Sequence, residues 1–494
     1  MLTKELLNCL LVKQVLGTLP EEVEDLAVDS RSVLPGGMFV CIKGFTVDGH
    51  DFVDQAIANG ARIIVAEREV EIDFSKAALV LVQNTHRAIG WLASAYYRYP
   101  SKKMTMIGVT GTNGKTSVSG IIHQILQNTG ERSALSGTIG FNLNGILYES
   151  ANTTSDVLST QQMIHQAVAE DCQSMIMEVS SHGLVEGRLA GVDFDIAVFT
   201  NLTHDHLDFH GTMERYGQAK GLLFAQLGQD FEKQKFAVLN ADDPWSARMM
   251  EMTSFPVLTY GIRNDALFKG TNIKVDELGT AFDMETPSGS YHVKMRLIGE
   301  FNVSNALAAA AALYAKGLPM EMIVEQLREI PPIKGRMQKV ETEAPISIFV
   351  DYAHTPDAIE KAISSVEPYE KNKLIFLIGT GGNRDKSKRP TMAEKASAAD
   401  YVILTTDDPR YEEYDSIIND LAKGMQHDHF ALIGDRAEAV KHAIEVAEPG
   451  DMIIFAGKGH EDYQIIGNTK FPHSDTEIAL REAKKKFSDS TQLK

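Results

Sequence analysis

The segment with the densest chemistry is THDHLDFHGTMERYGQAKG, residues 203–221, which holds three histidines, two aspartates and one lysine. Imidazole groups at this spacing could bind zinc. The same residues are also compatible with a solvated charged loop, or with a loop that leads into a helix. Which of these holds depends on where the lysine falls in that helix.

Lys220 falls on the apolar face of a predicted helix. If Thr212 caps its start, the side chains sharing that face are Met213, Tyr216, Lys220, Leu223, Phe224 and Leu227. A buried ammonium is costly unless it is paired or loses its proton. The stem could instead be buried with the amine in water. A desolvated, neutral amine could react with CO₂, and the resulting carbamate would be a metal-binding anion.

The segment GVTGTNGKTS, residues 108–117, follows a strand-like run and precedes a helical pattern. Backbone N–H groups of a glycine loop approach phosphate closely, and Lys115 and Thr116 suit terminal phosphates and Mg²⁺. The strict motif needs glycine at position 109, which is valine here, so the loop is a variant that uses Gly111. An ordinary strand-to-helix turn is the alternative, and the Gly-Lys-Thr at its end favours nucleotide binding.

A metal site is predicted beside this loop. Glu178 ends the apolar run IMEV, where its carboxylate could hold Mg²⁺; an exposed strand-end glutamate is the alternative. Because a phosphate loop lies in the same region, Mg²⁺ with His206 as one ligand is favoured over a zinc cluster.

The spacing of strand-like and helical runs predicts an α/β protein with three domains. The bounds are residues 1–98, 99–333 and 334–494, with breaks at YYRYPSKK and IPPIKGRMQKV. From MTMIGVT onward the alternation predicts a doubly wound central domain and a third, Rossmann-like domain. Polar residues follow the strand-like runs, so ligands are expected at the carboxyl ends of the strands.

Composition excludes several classes of protein. The net charge of −19 disfavours binding to nucleic acid or to anionic membranes over most of the surface. Cys9, Cys41 and Cys172 are too few and too dispersed for a disulfide framework, and no apolar run is long enough for a membrane span. The sequence predicts a cytoplasmic protein without membrane insertion.

The ordered motifs resemble those of the Mur ligases of bacterial cell-wall synthesis, and among them the MurE type, which adds the third amino acid. The resemblance covers essentially the whole chain. The matching segments are TGTNGKTS, NTT, MEVSSHGL, FTNLTHDHLDFHGTMERYGQAK, GEFNVSN, GR, VDYAHTPD, GGNRDKSKRP, DDPR and GKGHEDYQ.

The resemblance implies ATP, Mg²⁺ and a carbamate on Lys220 as cofactors. Thr116 and Glu178 would bind one Mg²⁺, and His206 with the carbamylated Lys220 would hold or position a second. Lys115 would stabilise the transferred charge. The implied nucleotide contacts are Gly111, Thr112, Asn113, Gly114, Lys115, Thr116, Ser117, Asn302, Asn305, Arg336 and Asp351, with His354 close to the last of these.

The implied substrates are a UDP-N-acetylmuramoyl dipeptide, bound partly by the first domain, and a diamino acid; the implied assembly is a monomer. ATP would phosphorylate the D-glutamate side-chain carboxyl, and the incoming amine would attack the acyl phosphate. The implied substrate contacts are Ser30, Thr46, Asn152, Thr153, Thr154, Ser180, Arg188, Lys220, Arg384, Asp407, Asp408, Pro409, Arg410, Gly457 and Glu461.

The family resemblance favours meso-2,6-diaminopimelate as the added amino acid, with L-lysine as the alternative. Arg410 would pair with the distal carboxylate of diaminopimelate and would face a lysine amine as a like charge. Asp408 departs from the asparagine usual in diaminopimelate enzymes, and its charge favours lysine.

Two other functions fit the sequence less well. A folylpolyglutamate synthetase or an amidotransferase-associated relative would not be expected to carry the DSR and GFTVDGH segments of the first domain. A non-catalytic nucleotide-binding module would be expected to lose Lys115, Glu178, His206 or Lys220, and all four are present.

Overall fold

The computed structural model describes residues 1–44, 47–150, 152–228, 233–276, 278–367 and 372–488. The described residues form three main sheets and a two-stranded hairpin, which lies beside the third sheet. The domain bounds predicted at residues 98 and 333 fall between these sheets and remain predictions. Among the described residues, no helix is both long and apolar enough to cross a membrane.

The first sheet has five strands in the order β1-β5-β4-β3-β2, and all neighbours are parallel except β1 and β5. Its strands β3 and β4 are the runs MFV and IIVA, which are fully buried, as the apolar sequence predicts. The elements are α1 (Thr3–Leu7), β1 (Gln14–Leu16), β2 (Leu26–Ala27), β3 (Met38–Val40), α2 (Val53–Ala58), β4 (Ile63–Ala66), β5 (Ala78–Leu81) and α3 (Thr85–Tyr96).

The second sheet has eleven strands in the order β16-β15-β14-β13-β12-β11-β6-β10-β7-β8-β9. Its elements are β6 (Thr105–Thr110), α4 (Lys115–Asn128), β7 (Ser133–Gly137), β8 (Gly140–Leu143), β9 (Ile146–Tyr148), α5 (Val157–Ala169), β10 (Ser174–Glu178), α6 (Ser181–Val185), β11 (Ile196–Phe199), α7 (Leu207–His210), α8 (Met213–Ala225), β12 (Phe236–Asn240), α9 (Trp245–Met252), β13 (Val257–Gly261), β14 (Phe268–Asp276), β15 (Gly279–Thr286), β16 (Gly289–Met295), α10 (Glu300–Lys316) and α11 (Met320–Glu329).

The centre of this sheet is parallel from β7 to β14, and hairpins extend it at both edges. The runs predicted as strands around MTMIGVT, SMIMEVS, DIAVFTN and FAVLNAD are β6, β10, β11 and β12, so those predictions are confirmed. In α4, Val118, Ile121 and Ile125 are buried on one face. The carboxyl ends of β6, β10 and β11 therefore meet at one edge, where the phosphate loop lies.

The third sheet has six strands in the order β17-β18-β22-β19-β20-β21, parallel except for β17. The Rossmann-like prediction is confirmed. Its elements, with the adjoining hairpin, are β17 (Gln338–Val340), β18 (Ser347–Asp351), α12 (Pro356–Ser364), β19 (Leu374–Thr380), α13 (Arg389–Ala396), β20 (Tyr401–Thr406), α14 (Tyr414–Ala422), β21 (Phe430–Leu432), α15 (Arg436–Val446), β22 (Met452–Ala456), β23 (Tyr463–Ile466), β24 (Thr469–Pro472) and α16 (Asp475–Ser488).

Candidate active site

The phosphate loop needs glycine at both of its ends. Gly111 has φ 149°, and a Cβ there would lie 1.8 Å from Thr200 Oγ1; Gly114 is left-handed with φ 88°. The end of β11 holds the loop in place, because Thr200 Oγ1 donates to Asn113 O at 2.6 Å and Thr112 N donates to Asn201 O at 2.8 Å. The loop therefore presents the first amides of α4 to an anion.

Lys115 is folded back onto this loop. Its Nζ donates to Gly111 O and Thr112 O, both at 2.9 Å. Loss of water around the amine lowers its pKa, while the nearby Glu178 carboxylate opposes that change. The amine lies beside the amides that would hold a phosphate.

Glu178 and Thr116 form a buried pair of oxygen donors. Glu178 is 2% exposed, and its Oε2 accepts hydrogen bonds from Thr116 Oγ1 at 3.0 Å and from Thr138 Oγ1 at 2.9 Å. The alternative of an exposed strand-end glutamate is therefore wrong. Sequence reasoning did not include Thr138, although it follows a strand in SGTIG. Hydroxyl and carboxylate oxygens at a helix N-terminus suit Mg²⁺.

The whole side chain of Lys220, including its amine, is buried. Thr212 Oγ1 accepts from Arg215 N at 3.2 Å, so α8 begins where the cap was predicted. Lys220 is only 1% exposed; its Nζ donates to Gly111 O at 2.8 Å and lies 4.4 Å from the Tyr216 ring centroid. The alternative of a solvated amine is wrong. Burial, and then the charge of Lys115, place the pKa of Lys220 well below its usual range.

The histidines of residues 203–221 do not converge on one point. His210 Nε2 is 2.9 Å from Ser181 Oγ, whereas His206 Nε2 is 3.4 Å from Asp205 Oδ2. Over the described ranges, the side chains spaced closely enough to share a metal ion are three carboxylates in the third domain, and these histidines do not form such a group. The zinc-cluster alternative is therefore wrong. Partial burial lowers the pKa of His206, so its imidazole is neutral, as a metal ligand requires.

A cavity of about 660 Å³ lies between the phosphate loop and the third domain. Six of the predicted nucleotide contacts line it: Asn113, Gly114, Ser117, Asn305, Arg336 and Asp351. Asn302 lies behind the cavity wall, where its amide donates to Ile298 O at 2.8 Å and accepts from Asn305. Its side chain thus holds that of Asn305, and its own contact with a nucleotide stays a prediction.

Arg336 joins the third domain to the phosphate loop. Its Nη2 donates to Thr116 Oγ1 at 2.9 Å, and its guanidinium lies 4.7 Å from the Tyr352 ring centroid. Asp351 nearby accepts from Met337 N at 2.6 Å and Ala353 N at 2.8 Å. His354 points toward Asp205, with Nε2 3.9 Å from its Oδ2. The cavity thus has walls from two sheets.

Several lining residues were not among the predicted contacts, although two of them, Thr203 and Tyr352, lie within segments that resemble the family. The cavity also contacts Thr203, Asp243, Tyr352 and Lys361. They come from four separate segments, and isolated polar residues in turns and helices are common without a ligand. Only the folded arrangement brings them together.

Four predicted substrate residues are linked near Glu178. Thr154 Oγ1 donates to Glu178 O at 2.9 Å and accepts from Ser180 N at 3.0 Å, while Arg188 Nη1 donates to Thr154 O at 2.8 Å. Thr153 Oγ1 is 3.2 Å from Thr138 Oγ1. This network lies directly beside the buried carboxylate.

The other substrate predictions are more scattered. Ser30 belongs to the first sheet's domain, where its Oγ donates to Gln55 Oε1 at 2.7 Å. Asn152 lines a different groove, of about 520 Å³, between β9 and α5. Thr46 lies outside the described residues.

Three carboxylates of the third domain surround one ammonium. Lys458 Nζ lies 3.0 Å from Asp407 Oδ1, 2.6 Å from Asp408 Oδ1 and 3.0 Å from Glu461 Oε2. Burial would lower the pKa of Lys458, but the carboxylates outweigh it and raise that pKa. Lys458, which is fully buried, was not among the predicted site residues.

Arg410 is held beside this cluster. Its Nη1 donates to Gly382 O and Asp408 O at 3.3 Å, and its Nη2 lies 3.5 Å from Asp408 Oδ2. Arg384 is exposed on the neighbouring loop, Pro409 is buried, and Gly457 begins the turn to Lys458. The predicted amino-acid residues therefore come together, with their charges largely compensated by one another.

Comparison with known proteins matches all three parts of the chain. Residues 22–97 match the family described as "Mur ligase family, catalytic domain". Residues 109–313 match "Mur ligase middle domain", and residues 335–459 match "Mur ligase, glutamate ligase domain".

Full-length relatives agree with these matches. The chain is 48% identical over 480 residues to UDP-N-acetylmuramyl-tripeptide synthetase 2 of Oceanobacillus iheyensis, covering 97% of this chain and 98% of the relative. It is 48% identical over 484 residues to UDP-N-acetylmuramoyl-L-alanyl-D-glutamate--L-lysine ligase of Staphylococcus haemolyticus, covering 98% of each chain.

A solved structure of UDP-N-acetylmuramoyl-L-alanyl-D-glutamate--2,6-diaminopimelate ligase is 32% identical with a TM-score of 0.68, and covers 96% of each chain. With the phosphate loop, the buried Glu178 and the two-walled cavity, these matches show that the chain belongs to the Mur ligase family and is an ATP-dependent amide ligase.

Proposed function

We propose that this ligase adds L-lysine to the side-chain carboxyl of D-glutamate in UDP-N-acetylmuramoyl-L-alanyl-D-glutamate, a step in making peptidoglycan precursors. The observation that carries the choice of lysine is the ion pair between Asp408 and Arg410, 3.5 Å apart. The diaminopimelate prediction rests on an Arg410 that pairs with the distal carboxylate of diaminopimelate and that, if uncompensated, would repel a lysine amine. Asp408 supplies that compensation.

The local charge balance favours a cationic side chain. Asp407, Asp408 and Glu461 lie around Lys458, and Asp408 also pairs with Arg410, so with Arg384 the site has three carboxylates and three cations. Because Arg384 is assigned to the α-carboxylate of the amino acid, one negative charge of the cluster is left for a side-chain ammonium, and it would repel the distal carboxylate of diaminopimelate. The name of the Staphylococcus haemolyticus relative supports the same choice.

Arg384 is assigned to the α-carboxylate of the amino acid. It is exposed on the loop that faces Arg410. Both arginines lie against Gly381, because a Cβ added to that glycine would be 3.6 Å from Arg384 Cγ and 3.0 Å from Arg410 Nη1. A guanidinium can bind a carboxylate through two parallel hydrogen bonds. Every α-amino acid offers that carboxylate, so selection rests on the side-chain end.

The UDP-muramoyl dipeptide is assigned to the network of Thr153, Thr154, Ser180 and Arg188, with Ser30 and Thr46 in the first domain. The network touches Glu178 through the bond from Thr154 Oγ1 to Glu178 O. The D-glutamate carboxyl would therefore lie close to the phosphate loop. Both substrates and ATP are small cytoplasmic metabolites, and we assign the enzyme to the cytoplasm as a monomer.

ATP is assigned to the cavity between Asn113, Asn305 and Arg336, with its phosphates over the amides of Gly114 to Ser117. Lys115 and Arg336 would leave their present oxygen partners and neutralise the charge on the transferred phosphoryl group. Oxygen of the D-glutamate carboxylate attacks the γ-phosphorus and ADP leaves, which gives an acyl phosphate.

The α-amine of the incoming L-lysine completes the reaction. Its nitrogen attacks the acyl carbon, the carbon–oxygen bond to phosphate breaks, and the amine loses a proton, which yields the amide and inorganic phosphate. The third domain helps to exclude water, because Asn113 Nδ2 donates to Asp357 Oδ2 at 2.9 Å across the junction.

The donor set fits Mg²⁺, with Thr116 and Glu178 as oxygen ligands and His206 as a neutral imidazole. When bound, the ion would draw negative charge from the phosphate oxygens. Lys220 suits carbamylation, because its desolvated amine can add to CO₂ and release one proton. The carbamate would place a second anionic group, besides Glu178, among the cationic side chains of this site.

The test is ligation by the purified enzyme with ATP, the UDP-muramoyl dipeptide and either lysine or diaminopimelate. We expect kcat/KM for lysine to exceed that for diaminopimelate by about 100-fold. Diaminopimelate turnover without lysine turnover would overturn the proposed amino acid while leaving the ligase activity intact.

A further inference from the structure

Two loops face each other across the junction of the second and third domains. Residues 204–206 follow β11, and residues 385–388 precede α13. Asp205 Oδ1 lies 3.0 Å from Lys388 Nζ, and His204 Nε2 lies 3.7 Å from Asp385 Oδ2. These four side chains, His204, Asp205, Asp385 and Lys388, are called the clasp below.

The central pair of the clasp is buried. Asp205 is 4% exposed and Lys388 is 8% exposed, although each belongs to a loop. A buried carboxylate and ammonium are favourable only when held against each other, so separation of the two domains by a few ångströms would leave both charges without a partner. The clasp therefore favours one relative position of the two domains.

Asp205 also touches the proposed metal loop. Its Oδ2 is 3.4 Å from His206 Nε2 and 3.9 Å from His354 Nε2, the latter from the third domain. One carboxylate thus contacts the proposed metal ligand and two side chains of the opposite domain.

The partner loop leads to the amino-acid site. Arg384, assigned to the amino acid, immediately precedes Asp385 of the clasp, and Lys388 immediately precedes α13. A short segment therefore connects the proposed site of the incoming amine with the proposed site of phosphoryl transfer.

We propose that Lys388 and Asp205 are positioning residues, which hold the third domain so that the amine of the incoming amino acid is aligned with the acyl phosphate beside His206. Neither residue contacts the reacting atoms. The core of the third domain also includes Ile298 of the second domain, with Val275 and Phe301 packed against it, so apolar contacts join the two domains beside the ion pair. The inference rests on the proposed placement of ATP and the amino acid, but not on which amino acid is used.

The test is a double-mutant cycle of Lys388→Met, Asp205→Asn and the combined variant, assayed with whichever amino acid the wild-type enzyme accepts. Misplacement by about 1 Å can cost about 100-fold, so we expect kcat of Lys388→Met to fall by about that factor. KM for the UDP-muramoyl dipeptide should change little, because its proposed contacts lie outside the third domain. The combined variant should be no worse than the poorer single variant.

The control is Lys395→Met. Lys395 lies on α13 and pairs with Glu360 at 2.8 Å inside the third domain, so this variant loses an ion pair of the same helix without touching the junction. It should keep wild-type kcat, and Lys388→Arg should recover part of the activity lost in Lys388→Met. Lys388→Met and Asp205→Asn are expected to lower the unfolding temperature, because each leaves a buried group without its partner, so kcat is compared at a temperature at which circular dichroism shows every variant folded. Lys395→Met should keep the wild-type unfolding temperature.

Multiplying effects in the combined variant would overturn the proposal, as would an unchanged kcat in Lys388→Met or an equal loss in Lys395→Met. If the proposed amino acid is wrong, the wild-type enzyme itself will use diaminopimelate in place of lysine. The cycle would still be measurable with that substrate.

Discussion

Two buried lysines of this enzyme have opposite surroundings. Lys458 of the third domain has three carboxylates within 3.0 Å of its Nζ. Lys220 of the second domain has a backbone carbonyl 2.8 Å from its Nζ and lies over the ring of Tyr216. After burial, the nearby cation Lys115 contributes most to lowering its pKa. Burial disfavours the ammonium at both places, and only Lys458 has the anions to overcome it.

The contrast separates a structural cation from a reactive amine. The carboxylates raise the pKa of Lys458, which therefore remains charged and holds the acidic cluster together. Burial, and then the charge of Lys115, lower the pKa of Lys220 well below its usual range, so its neutral form is easier to reach than that of Lys458. Burial alone does not identify a functional lysine; burial without a carboxylate partner does.

The largest expected effect is on activity in Lys220→Ala. Loss of the proposed carbamate should reduce kcat by at least about 100-fold, as for removal of a group that stabilises transferred charge. Added bicarbonate should not restore activity, whereas a short carboxylic acid should restore part of it by occupying the vacated space.

Lys235→Met is the matched control for that variant. Lys235 is also 1% exposed, but it lies at the start of β12, away from the phosphate loop, and pairs with Asp193. It should retain activity. Full activity of Lys220→Ala would remove the proposed role of Lys220.

The next effect is on stability in Lys458→Met. Removing the ammonium leaves the carboxylates uncompensated, and we expect the free energy of unfolding of the third domain to fall by about 3 kcal/mol. Lys220→Met, a swap of similar volume without loss of an ion pair, should cost under about 1.5 kcal/mol. Calorimetry of the full chain measures both, and equal losses would contradict the contrast.

A smaller effect is expected on amino-acid recognition in Asp408→Asn. Loss of this charge would leave Arg410 uncompensated, so KM for lysine should rise roughly tenfold, equivalent to about 1.4 kcal/mol. KM for ATP should stay constant, and Asp408→Glu should retain much of the affinity for lysine. An unchanged KM for lysine in Asp408→Asn would show that the cluster does not select the amino acid.

The smallest effect is a pair of opposite pH slopes in stability, measured without CO₂. Between its depressed folded pKa and about 10.4, Lys220 is protonated only in the unfolded chain, so its contribution to stability rises with pH. Lys458 has a raised folded pKa, so its contribution is complete below about 10.4 and is lost at higher pH. Subtracting the curves of the two Met variants from wild type isolates each slope, and slopes of the same sign would contradict the assignment.

Much of the fold was predictable because strand-like runs and helical spacing are local. The apolar face that placed Lys220 inward extends over a single helix, and the phosphate loop lies between one strand and the next helix. The edge hairpins β8–β9 and β14–β16 were not predicted, because alternating half-buried residues give a weaker pattern than a buried parallel strand.

The site was less predictable where it depends on distant pairs. Asp408 was recognised as an unusual residue, but its contact with Lys458, fifty positions away, cannot be read from spacing. The preference for diaminopimelate gives Arg410 more weight than Asp408, because the sequence does not show that these two side chains pair. In the same way, Asn302 was grouped with Asn305 by sequence motif, and only the structure shows that it faces the backbone of Ile298.

The most direct test of the contrast is a carbon-13 NMR spectrum of the enzyme equilibrated with ¹³C-bicarbonate. The buried amine of Lys220, with its lowered pKa, predicts one protein-bound carbamate signal, absent from Lys220→Ala and unchanged in Lys235→Met. No carbamate signal in the wild-type enzyme, or a signal that survives in Lys220→Ala, would contradict the account.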